Sequence, residues 1–261
     1  MVNVLRGFVF VLLTIVNWSA LAQVMEHPPP PKAAPRVEVT EMPLLRPGGI
    51  IVFGATGQLG EEVTRALVAQ GIKVTAMVRP TSNIAILEAM GVKIVQGDAL
   101  VLDDVARALR SGPLRAVISV LGGRQGNYRV DIGGNKNVID ATRDIGISRF
   151  ILVTAIGAGE NVAAAPWYIR YFMNGYFEAK TAAEITLEKS GLEHTIVRPG
   201  WLLNSEITGA ARLVDDQAAF SWITRRDLGN LLASSVEDEE TFGKTLTAFD
   251  PKLTGILSLF H

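Results

Sequence analysis

The chain has no cysteine, three histidines and a formal net charge of −1 over 261 residues, and each shortage removes a class of explanation. Without cysteine there is no disulfide, no thiolate metal site and no cysteine nucleophile. His27, His194 and His261 stand far apart in sequence, so no histidine-built metal site is expected. Near-neutrality supplies no global field for nucleic acid or an anionic surface, and no nucleic-acid partner is expected. What remains, 48% hydrophobic and 20% charged residues, suits one sizeable core, or one domain with a smaller lobe.

The N-terminus stands apart. MVNVLRGFVFVLLTIVNWSALAQ sets Arg6 before an apolar run, Gly7–Val16, and then Ser19-Ala20-Leu21-Ala22. That is the layout of a secretory signal peptide with an A-x-A cleavage site before Gln23. The run falls short of the roughly 20 residues of a membrane span, although Trp18–Leu21 extends it toward an uncleaved anchor. Residues 1–22 are therefore expected to export the protein or attach it to a membrane; a cytoplasmic or organellar protein is the alternative. Residues 23–48 carry seven of the twelve prolines, with Pro28–Pro31 in a row, and read as a polyproline spacer. The folded domain is expected over 49–261.

From Gly49 onward apolar strands alternate with helical stretches. GIIVFGAT, KVTAMVR, VKIVQGD, RAVISVLGG, RFILVTAIG, HTIVRPGWL and KTLTAFDP read as strands. Helices are expected between them, among them one in TSNIAILEAMG capped from Thr81, Ser82 or Asn83, one over about 131–146, one over about 176–191, and a last one starting near Thr224. Such alternation predicts an α/β fold, a doubly wound parallel sheet of Rossmann type.

Within IIVFGATGQLGEEV, Gly54, Gly57 and Gly60 occupy the turn from the first strand into the first helix. In that place glycines permit a tight turn, backbone approach to a pyrophosphate, and close packing of helix on sheet, with phosphates at the positive helix N-terminus. Gly54, Thr56, Gly57, Gln58, Leu59 and Gly60 are the expected dinucleotide contacts; glycines serving packing alone are the competing explanation. The second strand ends Met77-Val78-Arg79-Pro80-Thr81-Ser82, without the acid that usually holds a free ribose 2′-hydroxyl. Arg79, backed by Thr81 and Ser82, suits a 2′-phosphate, so NADP is expected over NAD. Asp98, in Gly97-Asp98, is placed either to accept from the adenine amino group or to cap the next helix.

With these pieces assembled, residues 49–250 resemble the atypical short-chain dehydrogenase/reductases, in particular the compact NAD(P)H-binding group that includes NmrA-like and biliverdin/flavin-reductase-like proteins. GATGQLG, VRP, GD, VDIGGNKNVIDATRDIGISRFILVTAIGA, YFEAKTAAEITLEKSGLEHTIVRPGWL and ITRRDLGNLL carry the resemblance, in the family's order. It implies that Tyr176 gives a proton to a substrate oxygen during hydride transfer. It also implies that Lys180 holds the nicotinamide ribose and that a third hydroxyl, here Thr154, steadies the substrate oxygen. Tyr176 and Lys180 are four apart on one helix face, and a nearby ammonium is expected to lower the phenol from its usual value near 10. The competing expectation for Lys180 is a surface pair with Glu184. Leu121 and Gly122, ending the fourth strand, allow close backbone approach to the cofactor, while Asp131, Gly134 and Asn137 fit the D-x-x-G-x-x-N pattern as scaffold.

Two irregular insertions, AGENVAAAPWYIRYFMNGY and LLNSEITGAARLVDDQAAFSW, are expected to form a small substrate-side lobe. Their aromatics (Trp167, Tyr168, Tyr171, Phe172, Phe220, Trp222, with Trp201 alongside) suit a flat or apolar small-molecule substrate or a self-packing lid. Arg170 is either a partner for a substrate carboxylate or simply solvated. The expected activity is an NADPH-dependent reductase of carbonyl or quinone-type compounds. A dinucleotide-binding sensor or assembly factor without turnover is the alternative, and an isomerase or epimerase ranks last.

Overall fold

The computed structural model describes residues 47–123, 128–160 and 167–254, with the backbone alone over 167–170. The expected export or anchor segment and nearly all of the proline-rich spacer lie outside the described residues. Among the described residues no helix is long and apolar enough to cross a membrane.

The chain alternates as its apolar pattern predicts. Strand β1 (Gly49–Phe53) leads to α1 (Gln58–Ala69), β2 (Val74–Val78), α2 (Ala85–Ala89), β3 (Lys93–Gln96), α3 (Leu102–Leu109) and β4 (Leu114–Ser119). A π-helical turn at Val130–Gly134 opens α4 (Asn135–Ile145), followed by β5 (Arg149–Val153), α5 (Trp167–Glu188) and β6 (Glu193–Pro199). The short strands β7 (Leu202–Leu203), β8 (Arg212–Val214) and β9 (Ile223–Thr224) precede α6 (Arg225–Ser234) and β10 (Lys244–Phe249).

The main sheet has the order β3-β2-β1-β4-β5-β6-β10-β8. It is parallel except for β8, which pairs antiparallel with β10 at the edge. Strands β1, β2 and β5 are buried along their whole length, which is what helices on both faces of a parallel sheet require. Alternate side chains then feed two cores. Ile50 and Val52 pack with Val63, Leu67, Leu228 and Leu232 on the α1/α6 face. Ile51 and Phe53 pack with Val105, Leu109, Val138, Ile139 and Leu187 on the α3/α4/α5 face.

Four local expectations need correction. Asn83 does not cap α2: its Oδ1 accepts from the Ala85 N–H, 3.1 Å away, and closes a turn just ahead of the cap residue, Ile84. The helix expected from 176 begins at Trp167, so the aromatic half of the first insertion is helix. Its boundary is hidden by Gly175, a residue that disfavours helix interiors by about 1 kcal/mol. Gly175 sits there because a Cβ at that position would meet the Tyr128 ring at 3.0 Å. The second insertion is not irregular: β7 and β9 form a two-stranded parallel ribbon, and β8 extends the main sheet. The helix expected over 131–146 opens with the π-helical turn, a wider winding found mostly at functional sites.

Two contacts fix how the helices close on the sheet. Arg149, almost fully buried at the start of β5, donates to the carbonyls of Glu193, Ser235 and Val236 and lies 4.1 Å from the centre of the Phe242 ring. It thereby ties the end of α6 to the amino edge of the sheet. On the other side, α6 crosses α1 at Gly229, where a Cβ would stand 2.8 Å from the Glu62 carbonyl carbon. Gly229→Ala should therefore cost about 1–3 kcal/mol by forcing two backbones apart. Urea denaturation should show a lower midpoint with an unchanged slope.

Candidate functional site

The carboxyl ends of β2, β1 and β4 lie side by side, with Phe53 in register with Met77 on one flank and Ser119 on the other. Strand order reverses between β1 and β4, and open α/β sheets bind ligands at such a point. The glycine loop stands there, and its three glycines are not equivalent. Gly54 has a φ of +88° and a Cβ would lie 2.9 Å from the Val120 carbonyl oxygen. Gly60 is buried, and a Cβ would lie 2.1 Å from the Gly54 carbonyl oxygen. Packing alone demands glycine at both.

Gly57 is different. It is exposed, extended backbone at φ −83°, and a Cβ would meet one atom, the Gly54 oxygen at 3.3 Å. It caps α1 without any side-chain hydrogen bond, so no capping side chain takes up the first amides of the helix (Gln58, Leu59, Gly60). Thr56 is half-buried, Gln58 exposed, and Leu59 packs against the core. The fold needs little from this middle glycine, whereas a ligand's phosphates need an open, donor-lined helix end. The residues present therefore fit a dinucleotide.

Arg79 projects, exposed, from the end of β2, and its carbonyl accepts from the Ser82 N–H at 2.9 Å. Asp98 is not the cap of the next helix: Val101 is. Its Oδ1 accepts instead from Leu100 N–H at 2.9 Å, while its own N–H donates to Asp104 Oδ2.

Across β4, Lys180 of α5 faces the segment 121–123, one turn along the helix from Tyr176. Lys180 is buried; its Nζ donates to the Leu121 carbonyl at 2.9 Å and lies 2.7 Å from Asp131 Oδ1. Asp131, fully buried in the π-helical turn, also accepts from the Gly123 N–H at 2.6 Å. A Cβ on Gly122 would stand 3.6 Å from that ammonium and 3.7 Å from that carboxylate. The Asn135 amide donates to the Asp131 carbonyl and accepts from the Ser119 hydroxyl at 2.6 Å. The D-x-x-G-x-x-N pattern exposed Asp131 in the sequence, but as scaffold; its pairing with a residue 49 positions away carried no local signal, and neither did Ser119 or Asn135.

Tyr176 itself lies 6.3 Å from the Tyr128 ring and has the Lys180 ammonium 5.6 Å from its ring centre. The expected lowering of the phenol does not occur. Burial, then the Asp131 charge, then Tyr128 push it up to about 12. The Lys180 ammonium lies 2.7 Å from Asp131 and does not offset this.

Thr154, expected to steady a substrate oxygen, gives its hydroxyl proton to Glu184 Oε1 at 2.6 Å. Glu184 is held in turn by the Arg198 guanidinium through both oxygens, at 2.9 and 2.7 Å. Arg198 reaches Gln217 in the lobe at 2.6 Å. Thus the surface pair Lys180–Glu184 does not form; both residues are buried and each is neutralised elsewhere. Glu184, Arg198 and Gln217 were not legible as a unit, since their separations are long and irregular.

The lobe presents Trp201, 43% exposed, with its ring centre 5.9 Å from that of Trp222 and the two planes tilted by 31°. Tyr171 and Phe172 meet edge to face at 5.3 Å but are 77% and 76% exposed, so they face solvent. The side chains of Trp167, Tyr168 and Arg170 lie outside the described residues. A groove of about 570 Å³ runs between α1, α6 and residues 203–206, lined among others by Gln58, Arg65, Asn204, Glu206 and Arg225. It borders the amino end of α1 and includes none of the Tyr176 cluster.

Residues 54–239 match the family described as NAD(P)H-binding. An uncharacterized sugar epimerase of Bacillus subtilis is 30% identical over 213 residues, covering 77% of this chain and 92% of that protein. The photosystem II assembly factor Ycf39 of Cyanophora paradoxa is 30% identical over 67% of this chain and 52% of its own length. Among solved structures, ChuY, an anaerobillin reductase from Escherichia coli O157:H7, superposes with a TM-score of 0.72 at 28% identity, over 79% of this chain and 99% of its own. Three similar proteins thus carry three different kinds of name, and the geometry has to choose among them.

Because the glycines divide by role, their alanine variants should divide too. Gly60→Ala should lower the melting temperature by several degrees through overpacking. Gly57→Ala should melt near the parent and lose dinucleotide binding, read by nicotinamide fluorescence.

Proposed function

The chain belongs to the NAD(P)H-binding family, and on that premise we propose that it is an NADPH-dependent reductase of a flat or apolar carbonyl or quinone-type substrate. The observation that carries the proposal is the bond from Lys180 Nζ to the Leu121 carbonyl. It seats the Tyr176 helix against the strand end whose neighbour, Val120, touches the glycine loop. Donor phenol and dinucleotide cradle therefore share one edge of the sheet.

A reduced nicotinamide bound at that edge supplies hydride. The amides at Gln58–Gly60 would hold its phosphates, Arg79 would hold its 2′-phosphate, and Lys180, Leu121 and Gly122 would hold its ribose. Arg79 supports NADP over NAD, since a guanidinium prefers a phosphate to a hydroxyl. Tyr176, protonated throughout the physiological range, donates to the substrate oxygen. Thr154 contributes less than the resemblance implies, because its proton is already committed to Glu184. The Trp201–Trp222 pair supports an aromatic or apolar substrate. The layout of residues 1–22 supports export or membrane attachment.

A second reading, a dinucleotide-binding assembly factor without turnover, draws on the commitment of Thr154 and on the likeness to the Cyanophora factor.

NADPH oxidation against quinones, aromatic carbonyls and flavins separates these readings. Tyr176→Phe should cut turnover about 100-fold or more with NADPH binding intact. Firm binding without turnover on the whole panel would favour the assembly-factor reading. Arg79→Ala should weaken NADPH about 10- to 100-fold and leave NADH nearly unchanged, since one charged hydrogen-bonding group is lost.

A further inference from the structure

We propose that the Arg225 guanidinium is a second hold on the coenzyme, reaching from the start of α6 to bind the pyrophosphate that the amino end of α1 would receive. The inference rests on the dinucleotide reading of the glycine loop and of Arg79, and not on turnover.

The groove between α1, α6 and residues 203–206 carries it. At about 570 Å³ it has the size of a small-molecule site. Its lining includes Gln58, the first residue of α1, and Arg225, the first residue of α6. The two helix ends are finished differently. Thr224 caps α6, its hydroxyl accepting from the Asp227 N–H at 3.0 Å, so what α6 adds to the groove is the Arg225 side chain. Gly57 leaves α1 without a side-chain cap. An anion at that end of the groove would meet the amides of α1 and the guanidinium together.

Pairing separates Arg225 from the other cations of the groove. Arg65 lies 3.6 Å from Glu62, and Arg226 lies 3.7 Å from Glu62 and 3.1 Å from Glu206, so both have acids beside them. Among the described residues Arg225 has no carboxylate partner. Its Nη1 donates to the Leu202 carbonyl at 3.2 Å and to Asn204 Oδ1 at 2.6 Å. These neutral acceptors aim the side chain and leave its charge unbalanced, with further N–H groups to donate. Burial pulls the guanidinium below the ordinary arginine value, and no acid counters that pull. A partly dried, unbalanced cation gains from an anion. The remaining acid of the groove, Glu61, lies one turn along α1 from Gln58, away from the amino end. Of the coenzyme's groups, the pyrophosphate is the anion that belongs at the start of an uncapped first helix, and NADPH and NADH share it.

The test is equilibrium binding of NADPH and of NADH to the full chain, followed by nicotinamide fluorescence. Arg225→Gln should weaken both coenzymes by the same factor, about 10- to 100-fold, since a charged hydrogen-bonding group that serves both is lost. That pattern differs from Arg79→Ala, whose loss falls on NADPH. Adenosine 2′-monophosphate has no pyrophosphate and should bind the parent and Arg225→Gln alike, read by calorimetry. Arg226→Gln, the neighbouring arginine already beside Glu62 and Glu206, should leave both coenzymes bound as in the parent. The proposal is overturned by a folded Arg225→Gln protein that binds both coenzymes as the parent does. It is equally overturned by a loss confined to NADPH, or by one that extends to adenosine 2′-monophosphate. Should Arg225→Gln not fold, Arg225→Lys decides: it keeps the charge without the planar fork and should weaken both coenzymes equally. A parent that binds neither coenzyme would overturn the dinucleotide reading itself. A parent that binds both, with Arg225 variants that bind as well, overturns this inference alone.

Discussion

Helix α5 carries two buried charges of opposite sign one turn apart, and the architecture of the site follows from how they are balanced. Lys180 and Glu184 have the spacing of a surface ion pair, yet each turns to a different element: Lys180 to Asp131 of the π-helical turn, Glu184 to Arg198 at the end of β6. Unpaired, either charge would cost several kcal/mol in so dry a place. The helix can therefore sit only where both outside partners reach it. One pair ties it to the carboxyl end of β4, the other to β5 and β6 through Thr154 and Arg198. The rotation and height of Tyr176 are set by these two anchors together with the Tyr128 ring against which it packs.

A similar economy governs the glycine loop. Two of its glycines are consumed by the fold itself: Gly54 by a left-handed turn against Val120, Gly60 by contact with the Gly54 carbonyl. That leaves the middle position as the one whose identity speaks about a ligand. A count of glycines overstates the functional signal, since the informative residue is the one that packing does not explain.

Much of the fold was legible in the sequence. Apolar runs alternating with helical stretches marked the strands, and the position of Gly54, Gly57 and Gly60 after the first strand marked the turn into α1. Tyr176 and Lys180 were legible as a pair because helix spacing is local information. Their electrostatics were not. Whether an ammonium lowers a phenol depends on what else holds the ammonium, and Asp131 is brought there by the crossing of β4 and a π-helical turn. Glu184 misled for the same reason: four residues from Lys180, it invited a local pairing that burial and Arg198 replace. The start of α5 was hidden by Gly175, whose purpose, room for the Tyr128 ring, exists only in three dimensions.

The order of strands divides the molecule's freedom to vary. Residues 49–119 form one contiguous flank of the sheet, and the 200–224 lobe lies beyond β6 on the other. The lobe is tied down by β8 on β10, by Gln217 on Arg198 and on the Thr245 carbonyl, and by the amides of Thr208 and Gly209 on the Asp227 carboxylate. Between β7 and Thr208 residues 204–207 are exposed, and that stretch can change length and lining without disturbing the nucleotide flank. A lineage that keeps one coenzyme while exploring many substrates would find its variation concentrated there.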